Sequence, residues 1–203
     1  VSTFSGITHT AIASARMLTA TSGSLTSATS GSFDINANAM FRSKPITGNW
    51  NQTSTWESNS GSGWVNATSV PDYTQGTITI QSGSTVTITD ANLTVDEVTV
   101  NAGGTLILSS SSTLQLNDAP GGVDLNVQGT FIDKATSVNG LNVVGSATWQ
   151  LGSSGTFIKE NNSSAANWRD AYQGSISTIP ATSTWIVRQA NASVTLVAAG
   201  MYY

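Results

Sequence analysis

Thr77-Ile-Thr-Ile-Gln-Ser-Gly-Ser-Thr-Val-Thr-Ile-Thr89 decides the reading of this chain. Two short alternating runs, Ile78/Ile80 and Val86/Ile88, flank a Gln-Ser-Gly-Ser turn. In a strand, alternate side chains share a face, so each run turns one aliphatic pair inward and its threonines outward. The same doublet returns as Leu93/Val95, Val98/Val100, Leu106/Leu108, Leu114/Leu116 and Leu125/Val127, with Val143 beyond. A second echo precedes the pairs: Gly83-Ser-Thr-Val86, Gly103-Gly-Thr-Leu106, Ser111-Ser-Thr-Leu114, Gly129-Thr-Phe131, Ser146-Ala-Thr-Trp149 and Gly155-Thr-Phe157. Apolar members recur at offsets near 8 and near 20 residues. The short offset fits one corner of a winding chain, and the long one fits a whole turn of it. The expected fold is all-β: a parallel β-helix (β-solenoid) over residues 77–203, continuing beyond the chain end. An antiparallel β-sandwich is the alternative, since it also has short, evenly spaced strands. The single Asn-Gly, at Asn139-Gly140, gives hairpins little support.

Two further segments precede the repeat. Residues 40–76 hold Trp50, Trp56 and Trp64 among turn signals and are expected to form a Trp-rich N-terminal cap. Residues 1–39 are rich in Ser, Thr, Ala and Gly and read as a linker or the end of a preceding β-domain. Leu25, Phe33 and Ile35 are too few for a core, and residues 8–20 suit a helix or a strand. Late in the chain, residues 161–170 are expected to form a polar excursion with a short helical turn, before strands resume at Thr184–Val187 and Ser193–Val197.

Composition narrows the function. Of 203 residues only 9% are charged, against about 25% in an ordinary soluble domain. Seven Lys and Arg with a net charge of -4 offer no cationic footprint for nucleic acid. No apolar run is long enough to span a membrane as a helix. With no Cys and one His, His9, disulfides and thiolate or His-based metal clusters are ruled out. No cofactor is expected.

Candidate sites are few. Trp50, Trp56 and Trp64 are candidate ligand-binding residues, able to stack sugar rings; their structural alternative is to close the open end of the winding. Arg42 and Glu57 would then be surface charges of that cap. The acids Asp90, Asp96, Glu97, Asp118, Asp124 and Asp133 form no evident cluster, and Lys134, Lys159, Arg169 and Arg188 are dispersed. No catalytic residues are assigned, and the chain is read as not an enzyme. Asp118 and Asp124 flank Ala119-Pro-Gly-Gly122 and are weak calcium candidates; a polar turn is the alternative. Thr77/Thr79 and Thr85/Thr87/Thr89 could begin a threonine array that orders water, but Thr105-Leu-Ile107 lacks the second threonine. His9 is read as incidental.

Phe41-Arg-Ser-Lys-Pro-Ile-Thr-Gly-Asn-Trp-Asn51, with Ser54-Thr-Trp-Glu57 and Gly63-Trp64, resembles a segment of large secreted Bacteroidetes proteins in which it leads into a Thr/Val/Gly-rich β-helix. Ser24 to Ile35 resembles the closing strands of the Ig-like domains that often come before, and Ala198 to Tyr203 the approach to a further turn. The resemblance implies export by the type IX secretion system and a place at the cell surface or outside the cell. The family's C-terminal sorting domain is absent from these residues. The expected function is a non-catalytic structural or adhesive segment of a larger protein. Expected partners are secretion machinery or outer-membrane components, with glycans or further copies of the chain. A carbohydrate-binding module built on the tryptophans and a subunit of an extracellular filament are the alternatives.

Overall fold

A computed structural model of the chain describes residues 13–35, 39–118, 122–136, 140–160, 176–178, 182–189 and 192–197. Everything regular among them is β-structure, apart from one 3₁₀ turn at Thr53–Thr55. The chain divides into two compact units, Val1–Asn38 and Ala39–Tyr203. In the first, β1 (Ala13–Arg16), β2 (Thr19–Ser22), β3 (Leu25–Thr29) and β4 (Phe33–Ile35) form two antiparallel pairs, β1 with β4 and β2 with β3. Gly23, at φ +49°, makes the turn between β2 and β3. The described part of segment 8–20 is therefore strand apart from Met17 and Leu18; residues 8–12, with His9, lie outside the described residues.

The second unit begins with β5 (Met40–Ser43), β6 (Thr47–Asn49), β7 (Trp56–Asn59) and β8 (Val65–Asn66). A threefold rhythm follows: β9 (Ile78–Ile80), β10 (Thr85–Ile88), β11 (Leu93–Val95); β12 (Val98–Val100), β13 (Thr105–Leu108), β14 (Leu114–Leu116); β15 (Leu125–Val127), β16 (Thr130–Asp133), β17 (Leu141–Val143). Then come β18 (Trp149–Leu151), β19 (Thr156–Glu160), β20 (Ile176–Thr178), β21 (Thr184–Gln189) and β22 (Ala192–Val197). Every third strand from β9 to β18 returns beside its predecessor, in parallel and without a register shift. Three sheets result, in the orders β8-β7-β5-β9-β12-β15-β18-β20, β6-β10-β13-β16-β19-β21-β22 and β11-β14-β17. Among the described residues of this unit, antiparallel pairing is confined to sheet ends: β5 with β7, β7 with β8, and β21 with β22. The Trp-rich region 40–76 lies in this unit: β5 pairs in parallel with β9 and β6 with β10.

Alternation sets the core. Ile78, Ile80, Val98, Val100, Leu125, Val127, Trp149 and Leu151 are fully buried along one sheet, and Val86, Ile88, Leu106, Leu108, Phe131 and Phe157 along the next. Trp149 and Phe131 both pack on Phe157, at ring separations of 5.6 and 5.5 Å. Between them stand uncharged polar residues: Thr79, Thr99, Asn126 and Gln150 in one column, and Thr94, Gln115 and Asn142 in another. Asn142 Nδ2 donates to Gln115 Oε1 at 3.1 Å, bridging adjacent strands.

The Gly-Thr echo marks the corners where successive passes touch. A Cβ on Gly104 would lie 2.8 Å from the Gln81 carbonyl oxygen. One on Gly129 would collide with the carbonyl oxygens of Asn101 and Gly104. The next residues, Thr105, Thr130 and Thr156, donate their backbone N–H to Ser84, Gly104 and Gly129, so each corner hangs on the one before. These threonines align with Thr47, Thr85 and Thr184 in one column of six. The first file of the threonine array thus continues unbroken, while the second passes from Thr87 to Ile107, Ile132 and Ile158.

The offset between register partners starts at the twenty residues expected and then varies upward. Ile78 pairs with Val98 at 20 residues, Val98 with Leu125 at 27, and Leu125 with Trp149 at 24. Additional residues enter at corners, between β14 and β15 and between β16 and β17, where insertions leave the ladders intact. The polar excursion at 161–170 and the final residues from 198 lie outside the described residues.

Candidate functional site

Trp50 and Trp56 are sealed at the end of the second unit where β5 and β6 begin its parallel pairing. Trp50 is 1% exposed and Trp56 0%. Their rings meet edge to face at 4.8 Å. Trp56 Nε1 donates to the Trp50 carbonyl at 2.7 Å, and Trp50 Nε1 to the Pro71 carbonyl at 2.9 Å. Both indoles satisfy their single donor internally, and neither offers a ring face to a ligand. A buried serine pair fastens the same end: Ser43 Oγ donates to Ser84 Oγ and Ser84 Oγ to the Lys44 carbonyl, each at 2.7 Å.

Trp64 is the member of the trio left half-exposed. It stands just before β8, and the Arg42 guanidinium lies 4.4 Å from its ring centroid. Arg42 and Glu57 are directly opposed on β5 and β7, and Arg42 Nε donates to Glu57 Oε2 at 2.7 Å. Cross-strand pairing places acid against base, and the antiparallel turn brings the indole over the base. Exposed Val65 and Met40 stand in the same strands. The cluster thus combines an aromatic ring, a cation and a carboxylate on one sheet end, a set able to stack on and hydrogen-bond a polyhydroxylated ligand.

The weak calcium candidates serve the backbone. Asp118 Oδ2 accepts the Ser146 N–H at 3.3 Å, and Asp124 Oδ2 accepts the Thr148 N–H at 2.5 Å. Both hold the turn that leads into β18; Ala119–Gly121, between them, lie outside the described residues. Among the described residues no group of three or more His, Asp or Glu is placed to hold a metal ion. Asp90 Oδ1 accepts from Asn51 Nδ2 at 3.3 Å.

Two associations of charged residues were not anticipated. Asp96 and Asp124 come together at the corners before β12 and β15, both buried. Burial first, then the hydrogen bond to Asp124 and the charges of Asp124 and Glu97, push the Asp96 carboxyl from 3.8 up to about 6. Glu97 occupies the left-handed region at φ +49°, so the two neighbouring acids sit in a turn rather than on opposite faces of a strand. The second association is Asp133 with Lys159. The sequence shows no cluster around the first and leaves the second among dispersed bases; both point into the core, 0% exposed, with Lys159 Nζ 3.0 Å from Asp133 Oδ2. Aligning Gly129-Thr-Phe-Ile-Asp133 with Gly155-Thr-Phe-Ile-Lys159 would have revealed it, since the shared pattern stacks acid on base.

An open hollow of about 660 Å³ runs along the β2–β3 pair of the first unit, lined by Leu18, Ala20 and Ala28 among Ser and Thr. No titratable group lines it. No helix among the described residues is long and apolar enough to cross a membrane. No protein family, curated protein or solved structure matches this chain.

Proposed function

We propose that residues 39–203 wind as a parallel β-helix and serve as a non-catalytic structural segment of a larger bacterial protein at the cell surface or outside the cell. The observation that carries this reading is the register: three ladders advance together, each third strand landing beside its predecessor. Such stacking satisfies the backbone between successive passes and leaves the outer positions free for Thr, Asn and Gln. An uncharged, hydrogen-bonded wall suits a stiff spacer or an adhesive surface. Export by the type IX secretion system, and with it contact with secretion or outer-membrane components, rests on the resemblance of Phe41–Trp64 alone. Pulling the full chain between terminal handles tests the architecture. A β-helix should release one pass at a time, in contour steps of ~70–100 Å for 20–28 residues. A single all-or-none rupture would reject it.

A second reading is favoured by the Arg42–Glu57–Trp64 cluster: glycan binding at the β5–β7–β8 end. It predicts retention on an insoluble polysaccharide, lost in Trp64→Ala with the fold intact. Equal retention of Trp64→Ala removes the cluster from consideration.

A further inference from the structure

We propose that Lys159 and Asp133 join covalently, through an amide between Nζ and the Asp133 side-chain carbonyl carbon. The two are register partners on β19 and β16, in the inward column that holds Ile88 and Leu108 on the two preceding strands. Both side chains are completely buried, and Nζ lies 3.0 Å from Oδ2. Two residues earlier on the same strands, the buried Phe131 and Phe157 pack on each other. Two ions in so dry a place carry a heavy desolvation cost. A neutral amide removes both charges.

The surrounding peptide fits the product. Lys159 Nζ donates to the Ala135 carbonyl at 2.8 Å, and the Ala135 N–H donates to Asp133 Oδ1 at 2.8 Å. An amide has one N–H to donate and one oxygen to receive, and Ala135 supplies a partner for each. During reaction the same N–H faces the oxygen on which negative charge develops, as a preorganised donor. Held contact of this kind corresponds to effective concentrations on the order of 10⁵ M or more.

The step balances as a condensation. One proton passes from Nζ to Oδ2, giving an amine and a carboxylic acid. The nitrogen lone pair adds to the side-chain carbonyl carbon, and the C–O bond to Oδ2 breaks. Oδ2 departs with a second proton from nitrogen, as water, and Oδ1 becomes the amide oxygen. No oxidant, reductant or activating group takes part. The bond clips β16 to β19 whatever the outer surface binds, and does not depend on the functional reading above.

Intact-mass measurement of the full chain under denaturing conditions tests it. The expected mass is lower than that of the sequence by one water, about 18 Da. Tandem spectra should show a branched peptide joining Asp133 to Lys159. Lys159→Arg should restore the full sequence mass, whereas a succinimide elsewhere would persist in that variant and open with hydroxylamine. A wild-type chain at full sequence mass after prolonged incubation overturns the proposal, as does a water deficit that survives Lys159→Arg. Should the variant fail to fold, the wild-type mass and branched peptide still decide.

Discussion

Asp96 and Asp124 face each other across successive passes of the chain, and the second carboxylate helps hold the first in its protonated form. Asp124 is committed to the Thr148 N–H, while Asp96 Oδ1 has no hydrogen-bond partner. The raised value of about 6 sets a pH window. The folded state holds the Asp96 proton more firmly than the unfolded chain does. The stabilisation is therefore complete below about 4 and lost as pH rises through 6. At 1.36 kcal/mol per pH unit the difference is about 2–3 kcal/mol. Denaturant melts at pH 5 and pH 8 span only the upper part of that window, so the wild-type preference for pH 5 should fall by about 1 kcal/mol in Asp96→Asn. An unchanged pH difference in Asp96→Asn would refute the pairing.

Gly129→Ala tests the corner contact. The added methyl meets the carbonyl oxygens of Asn101 and Gly104, backbone atoms that move only if two passes separate. Overpacking of this kind costs about 1–3 kcal/mol. Gly31→Ala, where nothing lies within 4 Å, should change the melting midpoint little. Equal midpoints for both variants would show that the passes are not in contact at Gly129.

Much of this architecture is visible in the residues because period-two burial leaves a direct trace. Ile78/Ile80 through Leu125/Val127 face inward as their alternation requires, with Leu93 partly buried against the core. The spacing between passes was less legible: corners accept extra residues, so the ladder survives while the count drifts from 20 to 28. The trio of tryptophans separated in a way composition does not reveal. Trp50 and Trp56 find internal acceptors, whereas Trp64 lies where a short end strand leaves one side open. Lys159 escaped notice because an inward lysine looks like an interruption of the aliphatic pattern. Only a partner one pass away makes its burial tolerable.

The tryptophans should therefore differ sharply in stability assays. Trp56→Ala empties a fully buried site and orphans the Trp50 carbonyl, for a loss of about 3–5 kcal/mol. Trp64→Ala removes an exposed cation–π contact worth about 0.5–1 kcal/mol. Thermal melts of the two variants, read beside wild type, check the ordering. Comparable losses would place Trp64 in the core rather than on the surface.

Leu125 and Asn126 carry the most economical test of inside and outside. They are neighbours on β15, paired in parallel with Val98 and Thr99 on one side and with Trp149 and Gln150 on the other. Leu125 is fully buried, while Asn126 lies in the outer polar column and accepts from Gln128 Nε2 at 2.8 Å. Leu125→Ala opens a cavity in a fully buried site between Val98 and Trp149, so a cost of about 2–5 kcal/mol is expected. Asn126→Ala gives up one part-buried side-chain hydrogen bond and should stay within about 1 kcal/mol of wild type. Denaturant midpoints with unchanged slopes would attribute both effects to the folded state. The opposite ordering would mean that β15 is displaced by one residue, a slip that exchanges the faces of every residue in the strand and cannot coexist with ladders in register on both sides.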